Sequence, residues 1–181
     1  MIDFLRKIRF KICLFFDTEH SKAATYSKYM GVNFGQNVRI TGTPLFGSEP
    51  YLITIGNDVT ITDGVTFHTH DGGVGVLRAK YPGLDIIKPV TVGNNVFIGS
   101  HSTLMPGITI GNNVIIGAGS LISRDIPDNV VVVGVPAKII KTIAEYEEKV
   151  LKEGIYIENR GNKELRKKEI LSKLKPGIIS N

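Results

Sequence analysis

The chain has 181 residues, a formal net charge of +5, 20 glycines, no tryptophan and a single cysteine, Cys13. That length suffices for one domain that buries its own core, and the lone cysteine excludes an intrachain disulfide framework and a multi-cysteine metal site, which makes a cytoplasmic address the expectation. No helix-turn-helix, finger or aromatic RNA-binding motif accompanies the charge, so no nucleic-acid partner is expected; the basic residues gather in the terminal segments, where a nucleotide phosphate or an anionic membrane surface would use them.

Residues 1–30 read as mostly helical. The start, MIDFLRKIRFKICLFF, holds an apolar run of only five residues at 12–16, too short for a secretion signal or a membrane span. On a helix Phe4, Ile8, Ile12 and Phe15 share one face, while Arg6, Lys7 and Lys11 fall on others. Packing on its own protein or on a neighbouring subunit is the commoner use of such a helix. Peripheral contact of residues 1–16 with a membrane is the other.

After Gly31 the periodicity changes. An apolar residue recurs at every sixth position: Phe34, Ile40 and Phe46, then Ile55, Ile61 and Phe67, then Val92, Ile98, Leu104, Ile110, Ile116 and Ile122. Two breaks separate these runs, GSEPY at 47–51 and a longer one at 68–89. Neither a helix nor a half-buried strand needs a period of six. It is the period of a triangular parallel β-helix, in which three steps complete a coil.

Within each step the fourth position after the apolar residue is small or β-branched (Val59, Val65, Val96, Ser102, Ile108, Val114, Ser120). Such side chains tolerate crowding between closely stacked coils. The GNN and GND triplets at 56–58, 93–95 and 111–113 favour left-handed backbone and suit sharp corners. Each coil buries its face only against the next, so the stack needs caps at both ends. The rhythm stops at DIPD (125–128), residues 130–133 form a last strand, and a helix is expected over 137–153 with Ile140, Ile143, Tyr146 and Val150 as its apolar stripe. Beyond it lies a polar, basic tail with a weaker helical pattern at Leu165, Leu171 and Leu174. The expected organisation is a helical segment (1–30), a β-helix domain (31–136) with a loop at 71–89, and a C-terminal helix with the tail (137–181).

The stretch VTVGNNVFIGSHSTLMPGITIGNNVIIGAGSLISRDIPDNVVVVGVPAKIIK (90–141) closely resembles the C-terminal half of hexapeptide-repeat O-acetyltransferases. The galactoside and maltose enzymes and those that modify capsule or lipopolysaccharide are similar here, and the resemblance covers residues 31–145. It implies an all-β core built as a left-handed parallel β-helix, an exception to the right-handed crossover rule. It further implies a homotrimer with acetyl-CoA lying in the clefts between neighbouring prisms, transfer of the acetyl group to a sugar hydroxyl, and no metal. The coenzyme positions carried over are Ser100, Ala118 and Ser123, with Phe97 as an aromatic wall where many relatives have tryptophan. Lys138 and Lys141 follow the GxPA motif (134–137) and would meet the coenzyme's phosphates.

Attack of a hydroxyl on a thioester needs a base, and histidine suits neutral pH. His20 lies in the helical leader and His101 in a regular repeat (IGSH). His70, in THDGG (69–73), stands where the family's catalytic histidine emerges from its protruding loop. His68 competes, because alternation puts both on one side of an extended strand. Asp71, Gly72 and Gly73 mark the exit from the coil and favour His70. One coil back from His70, counting eighteen residues, is Leu52, so GSEPY should lie beneath the base. Glu49 is then a candidate to hold the imidazole's other nitrogen or an acceptor hydroxyl; the alternative is an exposed glutamate on a bulge. Asp71 would do the same work, or cap a turn. The loop 71–89 is too long for a corner and is expected to cover the acceptor pocket of an adjacent subunit, with Arg78, Tyr81 and Asp85 as sugar contacts, or else to scaffold subunit contacts.

Three other readings compete. An amino-sugar or antibiotic acceptor would change only the acceptor pocket. A γ-type carbonic anhydrase shares the β-helix but binds zinc through three histidines, for which only His68, His70 and His101 are placed, and its paired GH and HG patterns are absent. A non-catalytic scaffold is disfavoured by the intact THDGG and GxPAK features.

Overall fold

A computed structural model describes residues 2–174. Two helices lead, α1 (Ile2–Phe16) and α2 (Lys22–Met30), and Gly31 ends α2 in left-handed backbone (φ 85°), donating its N–H to the Ser27 carbonyl. Short strands follow: β1 (Asn33–Phe34), β2 (Arg39–Ile40), β3 (Ile53–Ile55), β4 (Thr60–Ile61), β5 (Thr66–Phe67), β6 (Val90–Val92), β7 (Val96–Ile98), β8 (Thr103–Leu104), β9 (Thr109–Ile110), β10 (Val114–Ile116), β11 (Leu121–Ile122), β12 (Val130–Val133) and β13 (Lys138–Thr142). They form three sheets, β1-β3-β6-β9, β2-β4-β7-β10-β12-β13 and β5-β8-β11. These are the faces of a left-handed β-helix, and every pair is parallel except β12 with β13.

The sixth-position residues form columns through the prism. Ile40, Ile61, Ile98 and Ile116 stack along the second sheet and Phe46, Phe67, Leu104 and Ile122 along the third, all of them buried. The fourth-position residues, Val59, Val65, Val96, Ser102, Ile108, Val114 and Ser120, also point inward and are buried. Corners carry Asn37, Asp58, Asn95, Asn113 and Asn129 at φ between 54° and 63°, a conformation Asn and Asp tolerate best after glycine. Amide side chains run up this edge as a ladder: Asn94 Oδ1 accepts from the Asn57 N–H, and Asn112 Oδ1 from the Asn94 N–H, each at 2.9 Å. Glycine precedes them because the coils leave no room for a Cβ; one added at Gly93 would sit 2.6 Å from the Gly111 carbonyl oxygen.

Both ends of the stack are closed. At the N-terminal end α2 buries Ala23 and Tyr26, and the Tyr26 ring packs edge-on against Phe46 with centroids 4.9 Å apart. Burial pushes the Tyr26 phenol up to about 12. At the far end the helix expected from residue 137 is replaced over its first turns by β13, which pairs antiparallel with β12 through a bulge between Val131 and Val132. The reason is local and tertiary together: Ile139, Ile140 and Thr142 are β-branched, and without β13 the edge of β12 would stay open. Helix α3 therefore starts late, at Ile143 (Ile143–Glu153), and Ile140 belongs to the strand rather than to a helical stripe.

The chain divides into two compact units after Ala144. In the second, α4 (Lys163–Lys173) is capped by the Asn162 side chain, which accepts from the N–H groups of Glu164 and Leu165. Glu169 accepts from the Lys173 amine and from the N–H groups of Glu158 and Asn159, and these partners hold its carboxyl down at about 2. Among the described residues no helix is long and apolar enough to cross a membrane.

Phe67 is fully buried between Phe46, stacked 5.2 Å away, and Leu104. Phe67→Ala should lower the unfolding free energy by about 3–5 kcal/mol, the cost of a large aromatic deleted from a core that cannot collapse, read as a shift in denaturant midpoint.

Candidate active site

Both breaks in the rhythm leave the prism at one corner, between the third face and the first. The coil-to-coil step is 18 residues where the repeat is regular (Asn94 to Asn112), 21 across the first break (Asn37 to Asp58) and 37 across the second (Asn57 to Asn94). The residue beneath His70 is therefore not Leu52, as an eighteen-residue count gives, but Glu49, 21 residues back. Gly47 starts the first break with φ 61°, and a Cβ there would lie 2.8 Å from the Phe67 carbonyl oxygen.

Glu49 Oε2 lies 3.0 Å from His70 Nδ1 and accepts the Thr69 hydroxyl at 2.6 Å. The glutamate side chain is 18% exposed and that of His70 34%, while Thr69 is fully buried. The Thr69 hydroxyl, and after it the His70 ring, hold the Glu49 carboxyl below the usual carboxylate range. A carboxylate oxygen only accepts, so Nδ1 must carry the proton in this contact. In the neutral form of the ring Nε2 is then the lone-pair nitrogen, and no partner holds it among the described residues. The arrangement is that of an oriented base next to an accessible corner.

His70 is also the point where the loop leaves. Asp71 donates its N–H to the Ile86 carbonyl (2.9 Å), Lys88 donates to the Thr69 carbonyl (2.8 Å), and His70 bridges Ile87 antiparallel. The excursion is thus closed at its base. Asp71 caps a 3-10 turn, Gly72–Leu77, its carboxylate accepting the Gly73 N–H at 2.9 Å. Of the two roles open to Asp71, the geometry places it in the turn. Further out Arg78 pairs with Asp85 at 3.1 Å and donates to the Leu84 carbonyl, while the Lys80 amine stands 5.2 Å from the Tyr81 ring centroid. Arg78, Tyr81 and Asp85 are all exposed.

The remaining expected residues lie elsewhere on the prism. Ser100 and Ala118 stack at the corner between the second and third faces, where Ser100 also donates to the Thr62 hydroxyl at 3.1 Å and its carbonyl accepts from Gly119. Ser123 follows β11, on the corner that carries His70 but in a later coil. Phe97 faces outward from β7, Lys138 and Lys141 lie on β13, and all but the half-buried Lys141 are exposed. His68 has no side-chain partner among the described residues, and the ring of His101 covers Gly64. No three His, Cys, Asp or Glu side chains of the described residues come together as a metal site. Thr69 was missed in the sequence, although a hydroxyl at an inward position of the alternation, between two histidines, was the available signal.

Residues 89–124 match the family described as bacterial transferase hexapeptide (six repeats). Protein CapG of Staphylococcus aureus is 51% identical over 148 residues, spanning 81% of this chain and 86% of that protein. The chain belongs to the hexapeptide-repeat acetyltransferases. Galactoside O-acetyltransferase of Escherichia coli is 40% identical over 115 residues, covering 64% of this chain and 54% of that enzyme, so about half of it is spanned. A solved structure of galactoside acetyltransferase in complex with coenzyme A superimposes with a TM-score of 0.60 at 28% identity, over 85% of this chain and 86% of that one. This acetyltransferase is accordingly an enzyme of the acyl-transfer class.

In this acetyltransferase Glu49 is more acidic folded than unfolded. Its share of stability is complete above the unfolded carboxyl pKa and is lost as pH falls through the lower, folded value. Denaturant titrations across an acid pH series should show a shallower acid-side decline for Glu49→Gln than for the parent.

Proposed function

We propose that the chain transfers the acetyl group of acetyl-CoA to a sugar hydroxyl of a capsule, lipopolysaccharide or related glycan. The observation that carries this reading is the 3.0 Å contact between Glu49 and His70 Nδ1, which leaves Nε2 as the free base at the prism's corner. In this reading His70 Nε2 takes the proton of the acceptor hydroxyl as its oxygen attacks the thioester carbonyl, and Glu49 stabilises the imidazolium that results. The same imidazolium then supplies the proton to the departing thiol. Thr69 is a positioning residue, acting through the Glu49 oxygen that both groups share.

Small side chains and coil backbone at Ser100 and Ala118 suit a pantetheine arm, Ser123 and Phe97 would line the same cleft, and Lys138 and Lys141 would meet the phosphates. Ser100 and Ala118 lie on a different edge of the prism from His70, which supports a homotrimer whose cleft combines the edges of two copies. Arg78, Tyr81 and Asp85 sit on the loop that leaves beside His70, which supports a role at the acceptor. A cytoplasmic setting, where acetyl-CoA and a reduced Cys13 are both expected, fits this chemistry.

Thiol release from acetyl-CoA, followed over a panel of glycan acceptors, tests the reading. His70→Ala should reduce kcat/KM by roughly 10²–10⁴-fold, Glu49→Gln by less, and His68→Ala little. Undiminished turnover in His70→Ala removes the base; faster transfer to amines than to hydroxyls moves the acceptor to the amino sugars.

Sedimentation equilibrium should give a trimer. In mixed oligomers of parent and His70→Ala chains, activity should follow the number of intact His70 residues. A monomer of full activity would remove the shared cleft.

A further inference from the structure

Helix α1 has three sides. One packs inward through Phe10 and Leu14, which join the core, with Phe10 against both Tyr26 and Tyr29 at 5.6 Å. The second is apolar and turned to solvent: Phe4, Leu5, Ile8, Ile12, Phe15 and Phe16 are all exposed, Phe15 by 82% and Phe16 by 79%. At 3.6 residues per turn these six form one continuous arc. The third is basic and borders that arc, with Lys7 and Lys11 along one margin and Arg9 along the other. Residues 4–16 contain no acidic side chain.

Beside the helix, Leu5, Arg6, Arg9, Lys28 and Tyr29 line an open cleft of about 460 Å³. Apolar arc, flanking cations and cationic cleft meet along one side of the molecule, a combination that none of the acyl-transfer chemistry uses.

We propose that α1 is an interfacial helix that seats this enzyme on an anionic phospholipid bilayer. The phenylalanines enter the acyl boundary, Lys7, Lys11 and Arg9 lie at headgroup level, and the cleft receives a headgroup phosphate. A second copy of the chain is the competing occupant. The charge argues against it, because two such helices face to face would set Arg6, Lys7, Arg9 and Lys11 of one against those of the other, with Asp3 as the single acid in each helix. An anionic surface meets both the apolar arc and its basic borders.

The test uses the full chain and vesicles of equal parts phosphatidylglycerol and phosphatidylcholine. The chain should cosediment with these, not with phosphatidylcholine alone, and should be released as salt rises. Phe15→Ser/Phe16→Ser should weaken binding roughly tenfold or more, with far-ultraviolet circular dichroism unchanged because both rings are exposed. Arg9→Glu/Lys11→Glu should weaken it comparably, while Lys167→Glu/Lys168→Glu, an equal change of charge in the tail, should not. Since the chain has no tryptophan, Phe15→Trp gives a single emitter that should shift to the blue on anionic vesicles.

Binding lost equally in the tail variant overturns the proposal in favour of adsorption by net charge. So does binding that survives Phe15→Ser/Phe16→Ser. A change of oligomeric state in that variant, with no vesicle binding by the parent, assigns the face to a second copy.

Discussion

Coils of this prism are separated by the width of one hydrogen-bonded strand, a little under 5 Å. Everything else follows from keeping that spacing through every turn. It forces branched aliphatic residues into columns, removes Cβ atoms where corner backbones meet, and leaves inserted chain only one way to go, which is outward at a corner. The ladder therefore sorts the sequence into residues that must repeat and residues that are free to carry chemistry. Glu49 and His70 belong to the second group, yet they meet because the first group places their strands in adjacent coils.

The electrostatics at that corner are economical. One carboxylate oxygen takes both the buried Thr69 hydroxyl and the His70 ring, so a single acceptor fixes a side chain inside the coil and another outside it. Through Thr69 the glutamate is anchored to the core, and through His70 it reaches the surface. The tautomer of the imidazole thus depends on interior packing as much as on local charge.

The core was legible from residue types and spacing alone, since a six-residue period is read directly from Phe34 to Ile122. The corner that carries the candidate site was legible too, because a broken repeat stands out against a regular one. Its pairing was not. A count of eighteen presumes that the break adds nothing to the coil, whereas GSEPY adds three residues and brings Glu49 to the place reckoned for Leu52. Thr69 escaped notice because its role lies in a contact between coils. Strand β13 was misread as helix because the open edge of β12, which recruits it, is a tertiary fact that Lys138 to Thr142 do not announce.

The pinch at the foot of the long loop separates two kinds of change. Its rungs, Asp71 to Ile86 and Lys88 to Thr69, return the chain to its starting point before the next coil begins. What lies between them is a closed excursion from the coil's account, and its length does not enter the register that sets Glu49 under His70. Residues 72–85 can therefore be lengthened, shortened or replaced while the contact between Glu49 and His70 beneath them stays as it was.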